Sequence, residues 1–434
     1  MIEPNIAAPP PPPPSKRLGG FMSLAMVVGT MIGSGIYLLP ATLAPFGPNI
    51  VLAFAVTIAG TMLLAITFAR LARRMPGGPF VYVRSAFGDG AAFLTLWSYM
   101  VSQWTGVAAV AVAVAGALGF VVPAASGGIG LTIVALGTIL ILTLVNLTGA
   151  RSAGWVQVTA TLIKVVPLFA VVLLLAIRFG GGQPAEPLAA VPISLAGVAG
   201  AAALMLFSLT GFEAATVTTN VTENADRIVP RATILGTGLT GAIYFGATLA
   251  TLLILPNALA ASSSAPFADA IAPLLGPGAG AVVAVIAAIS AFGTCNALLL
   301  LSAEVGQSLA VPGDLPRLFA STNQAGVPVG SLLVGAGMAT LLVIASTSDS
   351  FIAVYAFIAL VSTVSALVLY AACAGAALKL KIGSGLAVVA LIYALAMFVG
   401  AGLEATLWGL ALAVAGLPIR WLSRRSSRAA APVA

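Results

Sequence analysis

Between Phe21 and Ala44 the sequence is apolar, and its middle, Gly29-Thr30-Met31-Ile32-Gly33-Ser34-Gly35-Ile36-Tyr37, places three glycines within seven residues. Glycine costs about 0.5–1 kcal/mol in a helix interior, so this density breaks a helix. In water the outcome would be a loop. In lipid, unpaired backbone is tolerated only where it is buried in protein or lines a watery cavity. A break halfway through a span therefore predicts a small-solute site, with free N–H groups of the second half-helix facing an anion such as a carboxylate. The alternative is a kinked helix whose glycines serve close packing.

The rest of the chain supports the membrane setting. Of its 434 residues 60% are hydrophobic and 7% charged, with mean hydropathy +1.14. Soluble domains carry about 25% charged residues. A crossing needs roughly 20 apolar residues. The sequence predicts an all-α polytopic membrane protein of about twelve spans, at 20–45 (broken at Gly33–Gly35), 48–72, 90–121, 129–147, 155–179, 196–222 (broken near Gly211), 231–255, 279–310, 328–346, 351–378, 384–402 and 404–422. A count of ten or eleven follows if one C-terminal segment is misassigned.

The net charge of +7 would suit a nucleic-acid partner, but its distribution points elsewhere. With both termini in the cytoplasm, all eighteen basic residues except Lys164 and Arg178 fall on cytoplasmic segments. That is the positive-inside pattern, with anionic membrane lipid as the partner and no nucleic acid. The N-terminal residues 1–18, with consecutive prolines Pro9–Pro14, read as a polyproline II tail and not as a signal peptide; the tail is either a disordered spacer or a docking element. Residues 424–434 read as a basic cytoplasmic tail. Cys295 and Cys373 lie in apolar segments and are expected to be free, inert thiols. Pro76-Gly77-Gly78-Pro79-Phe80-Val81-Tyr82 is too irregular for a span and too apolar for a solvated loop; it reads as re-entrant or interfacial, or else as an ordinary turn.

Phe207-Ser208-Leu209-Thr210-Gly211-Phe212-Glu213 interrupts the sixth span, five spans after the first break. Five is odd, so a second copy of a five-helix unit would run inverted. The expected units are residues 19–180 and 181–382, followed by two further helices in 383–423. Three ionisable residues fall within spans, each costing about 2.5–3.5 kcal/mol at a helix centre. Glu213 would hold a substrate ammonium, take a proton, anchor a gate, or cap the free N–H groups of the half-helix. Lys164 would act as a fixed ammonium in place of a bound sodium ion, or snorkel to the interface. Ser290 and Thr294, four apart, share one face that would meet it. Glu304 borders an inner vestibule or simply reaches water.

At these residues the chain resembles the amino acid–polyamine–organocation transporters, and among them the bacterial basic amino acid/polyamine antiporters of the arginine/agmatine type. The resemblance rests on Gly29 to Ile36, Pro76-Gly77-Gly78, Gly211-Phe212-Glu213, Val229-Pro230-Arg231-Ala232-Thr233 and Asn323-Gln324-Ala325-Gly326-Val327-Pro328. It implies the inverted-repeat fold of the sodium-coupled leucine transporter and alternating access. It also implies that backbone at Ile32, Gly33, Ser34 and Gly35 holds the substrate carboxylate, and that carbonyls near Phe207, Thr210 and Gly211 hold its α-ammonium. Phe207 falls at the position of an aromatic lid. Lys164 falls where several relatives replace a sodium ion, with Thr294 facing it. The side-chain end departs from the arginine pattern: Val107 stands where an asparagine is expected and Leu298 where a tryptophan is expected. Ser102, Gln103 and Ser362 are the polar replacements.

The expectation is thus a sodium-independent amino-acid transporter of the bacterial inner membrane, exchanging amino acid for polyamine, with no cofactor or metal. Its oligomeric state is open, a homodimer being one option. Proton symport of a neutral amino acid is the alternative. A channel and a membrane-embedded enzyme are the rivals from other classes. The sequence has no histidine and two scattered cysteines, so no nucleophile or metal cluster suggests catalysis.

Overall fold

The computed structural model describes residues 19–75, 77–125, 128–149, 154–213, 222–345 and 350–429. The proline run, Pro76, Arg151 and the second half of the sixth predicted span (214–221) lie outside the described residues. What is described is helical throughout, apart from turns and one extended strap. In chain order the helices are α1 Gly20–Met31, α2 Gly35–Leu43, α3 Asn49–Arg74, α4 Gly78–Phe87, α5 Asp89–Val121, α6 Gly128–Leu147, α7 Gly154–Gly180 and α8 Leu195–Ser208. They continue as α9 Ala225–Ile254, α10 Asn257–Ser262, α11 Pro266–Leu275, α12 Pro277–Ala310, α13 Val329–Ala345, α14 Phe351–Lys379, α15 Ser384–Gly400, α16 Leu403–Val414 and α17 Gly416–Ala429.

Among the described residues, eight helical segments are long and apolar enough to cross a membrane, and α1 with α2 forms one further span bent by 43°. With the shorter apolar helices α8, α13 and α15 they occupy all twelve predicted span positions. The chain is an all-α, multi-pass membrane protein. Its centre is α5, whose apolar window is 83% buried. A helix apolar on every side is enclosed by others, and α5 packs against α12, α14, α6 and α13.

Contacts between helix ends define two opposite faces. On the basic face, Gly383 lies against Arg70, Lys379 stacks 5.2 Å above Phe87, and Asp314 pairs with Arg420 and Arg424. On the other face, residues 183–194 form an extended strap. Asn49 pins it, donating to Pro192 O at 3.1 Å and accepting from Ser194 N at 2.8 Å. Ser194 then caps α8 by accepting from Gly197 N at 3.0 Å. Arg178, the lone basic residue expected on this face, donates to Ile254 O at 2.9 Å and pairs with Glu186 at 3.3 Å. The arginine thereby satisfies a carbonyl at the end of α9.

Three segments differ from the sequence reading. The Gly77–Tyr82 stretch, read as re-entrant or interfacial or else as a turn, is helical from Gly78 and opens α4, whose Tyr82, Val83 and Ala86 are buried in a helix that packs on α5 and α14. Proline at the start of a helix gives up an amide that has no intrahelical partner, so Pro79 starts α4 without loss. The seventh span begins at Ala225 and carries Pro230 inside its N-terminal part. The last span is interrupted at Ala415, and its helix continues to Ala429, where a tail was expected from residue 424.

Candidate functional site

The first break has the geometry that three glycines predict. Helix α1 ends at Ile32 (φ −75°, ψ 87°), Gly33 N donates to Met31 O at 2.9 Å, and α2 starts after Ser34. Among the described residues no carbonyl accepts from the amides of Ser34, Gly35 or Ile36. These are the orphan donors of a helix start, at the positive end of its dipole. Ile32 and Ser34 are buried.

The second break lies directly against the first. Helix α8 stops at Ser208, and Leu209 to Glu213 form a turn in which Gly211 takes φ +105°. A Cβ at Gly211 would stand 3.2 Å from the Thr30 carbonyl carbon and 3.3 Å from Met31 N. A Cβ at Gly35 would stand 2.9 Å from Ser208 Cα. Glycine is required at both positions because backbone touches backbone, and at Gly211 also because of its φ. Thr30 Oγ1 reaches Gly211 O at 3.2 Å, a proton it shares with Met26 O and Val27 O in its own helix. Phe207 O accepts from Thr210 Oγ1 at 2.7 Å. Phe207 and Thr210 are half-buried, and the Phe207 ring meets Tyr355 edge-on with centroids 6.1 Å apart.

Glu213 is 5% exposed and folds back on the break. One carboxylate oxygen accepts from Gly211 N at 3.1 Å, the other from Tyr99 Oη at 3.1 Å, and Tyr370 Oη lies 3.3 and 3.4 Å from the two. Phe68, Phe212 and Tyr370 pack ring against ring around it, with centroids 5.1–5.9 Å apart. The half-helix whose N–H groups Glu213 was expected to cap lies outside the described residues; what is described is its hold on the turn itself, through Gly211 N.

Helix α12 brings Ser290 and Thr294 to the first break. Ser290 Oγ donates to Gly33 O at 3.4 Å, and a Cβ on Gly33 would meet Thr294 Oγ1 at 2.8 Å. Lys164, on α7, is 6% exposed, and its carbonyl accepts from Tyr37 Oη at 2.6 Å. Among the described residues its ammonium makes no hydrogen bond or ion pair. Glu304 is exposed. Cys295 and Cys373 are free and buried.

The remaining residues expected at the site converge on Gly106 of α5. A Cβ there would stand 3.1 Å from Leu298 Cδ1 and 3.5 Å from Ser362 Oγ. Ser362 Oγ donates to Ser102 O at 2.7 Å, and Gln103 Nε2 donates to Ser102 Oγ at 3.0 Å. Among the described residues, the buried Gln103 Oε1 has no hydrogen-bond partner. A small void lined by Ser34, Tyr37, Ser264 and Phe267 holds about 10 Å³, room for one water. Thr30, Tyr99, Phe207, Thr210, Gly211 and Leu298 are all partly exposed.

Sequence reasoning missed the tyrosines. Tyr244 Oη donates to Met31 O at 2.6 Å, Tyr37 holds α7, Tyr99 and Tyr370 hold Glu213, and Tyr355 stands over Phe207. A tyrosine inside an apolar span was the available signal, since its hydroxyl must find a partner when buried.

A bent span whose unpaired peptide groups meet the turn that ends α8, inside a multi-helix membrane bundle, is the geometry of a carrier-type membrane protein. The sequence model of the amino acid permease family matches residues 18–385, and the chain belongs to that family. It is 31% identical to a cadaverine/lysine antiporter of Escherichia coli K12, over 77% of this chain and 76% of the relative. It is also 31% identical to a putative arginine/ornithine antiporter of Bacillus subtilis (74% and 75% covered), and 27% identical to the putrescine transporter PotE of E. coli K12 (78% of each).

Proposed function

We propose that the chain is a sodium-independent secondary transporter of the bacterial inner membrane that exchanges an amino acid for an amine by alternating access, with both termini in the cytoplasm. The contact between Gly211 and the Thr30–Met31 peptide carries this reading, because it sets two half-helix ends side by side. The amides of Ser34, Gly35 and Ile36 receive the substrate carboxylate, and carbonyls from Phe207 to Gly211 receive its ammonium. Ser102, Gln103, Leu298 and Ser362 bound the side chain. Lys164 serves as a fixed cation in place of sodium, close to the face of Ser290 and Thr294, and Glu213 couples the second break to protonation or to gating. Two inverted units, 19–180 and 181–382, account for breaks five spans apart. The names of the relatives support transport of lysine, arginine or ornithine and of the amines cadaverine and putrescine. Leu298 against Gly106 supports a second reading, a neutral amino acid carried with a proton, since it supplies no partner for a distal cation.

Proteoliposomes separate the two. An exchanger takes up labelled lysine or cadaverine only when substrate is inside. A symporter accumulates a neutral amino acid into empty vesicles under a pH gradient alone, and that result would replace the exchange reading.

A further inference from the structure

Helix α17 has two faces of different chemistry. One is docked: Ser423 Oγ donates to Gly313 O at 3.1 Å, and Arg420 stacks 5.0 Å over Phe93. On this side Asp314, with a side chain only 4% exposed, accepts from Arg420 Nε at 2.9 Å and Arg424 Nε at 2.7 Å. One carboxylate therefore meets two guanidinium groups, and a positive charge is left over. The other face is open. Leu417, Trp421 and Arg425 recur every four residues, so they form one stripe, and Arg424 stands at its edge between the two faces. Leu417 is 43% exposed, Trp421 54% and the Arg424 side chain 44%. Arg425 is also exposed and lies 3.7 Å above the Trp421 ring.

The stripe lies on the final membrane-crossing segment, Leu403–Arg425, at its basic end. It passes from aliphatic to aromatic to cationic over two turns. That is the order of chain, glycerol region and phosphate in a phospholipid leaflet, and tryptophan prefers the middle zone. Arg424 is fixed through Nε by Asp314 and Arg425 by the indole, so their remaining N–H groups are positioned without further loss of rotamer freedom. We propose that Leu417, Trp421, Arg424 and Arg425 form a binding site for an anionic glycerophospholipid. Its phosphate sits on the two guanidinium groups and its acyl chain lies along Leu417. Nothing in the transport reading uses these residues.

Native mass spectrometry of the full chain, released from vesicles of phosphatidylethanolamine with phosphatidylglycerol, tests this. Wild type should retain phosphatidylglycerol preferentially, and Arg424→Gln with Arg425→Gln should lose roughly fivefold preference per arginine. Arg424→Lys with Arg425→Lys should restore most of it, which a mere folding defect would not allow; melting temperature checks each variant. Equal retention of both lipids by wild type, or unchanged retention in the glutamine variants, would overturn the site. Displacement of the lipid by inorganic phosphate at matched ionic strength would overturn it as well, since that marks a simple anion site.

Discussion

Gly35 rests on the backbone of Ser208: any side chain at Gly35 would enter the space of the Ser208 Cα, 2.9 Å away. The residue that opens the second half of one interrupted span thus closes on the residue that ends the first half of the other. Gly35→Ala must push α2 and α8 apart. Overpacking costs about 1–3 kcal/mol, and here it also moves the unpaired amides. Loss of exchange together with a lower melting temperature in detergent is expected. Gly337→Ala is the control, since nothing lies within 4 Å of its Cβ position in α13. It should be neutral or stabilising by about 0.5–1 kcal/mol.

Glu213→Gln keeps the shape of the side chain and removes its charge. Folding should persist while exchange falls at least tenfold. Wild-type exchange in this variant would confine Glu213 to holding Gly211, Tyr99 and Tyr370. Glu213→Ala goes further and leaves buried donors unpaired, at about 1–3 kcal/mol each. A melting temperature well below that of Glu213→Gln is the expected signature.

Lys164→Ala removes a buried ammonium from α7 and leaves the bond of Tyr37 to the Lys164 carbonyl in place. Weaker substrate binding, or a flattened dependence of exchange on pH, is expected. Wild-type affinity across the whole pH range would exclude a cation role for Lys164.

Leu298 and Ser362 meet at Gly106, so the size of the side-chain subsite is set there. Leu298→Ala should favour longer substrates by about 10-fold in kcat/KM relative to short ones, the scale of one or two methylenes. Competition between lysine and alanine for exchange measures this. An unchanged ratio would place the substrate side chain elsewhere.

The breaks were legible because glycine cost and lipid exclusion act locally, and both are visible in Gly29–Gly35 and Phe207–Glu213. Helical spacing on α12 put Ser290 and Thr294 on one face, but that this face meets Gly33 of the first break came from the structure. The tyrosine anchors were not legible, because Tyr244 and Tyr370 reach Met31 and Glu213 across long stretches of chain that no local pattern encodes. The α4 helix was missed because Gly77 and Pro79 signal a turn, whereas burial of Tyr82 and Val83 against α5 and α14 outweighs that local preference. The ion cluster at Asp314 belongs to the same class: its partners Arg420 and Arg424 lie a hundred residues on and looked like ordinary tail charges.

The central claim is that peptide groups of the two breaks hold one small molecule between them. A structure of the protein saturated with the amino acid it exchanges tests this most directly. The account predicts a carboxylate within about 3 Å of the Ser34, Gly35 or Ile36 amides, with the ammonium beside the carbonyls from Phe207 to Gly211. A ligand bound away from both breaks, or joined to only one of them, would contradict it.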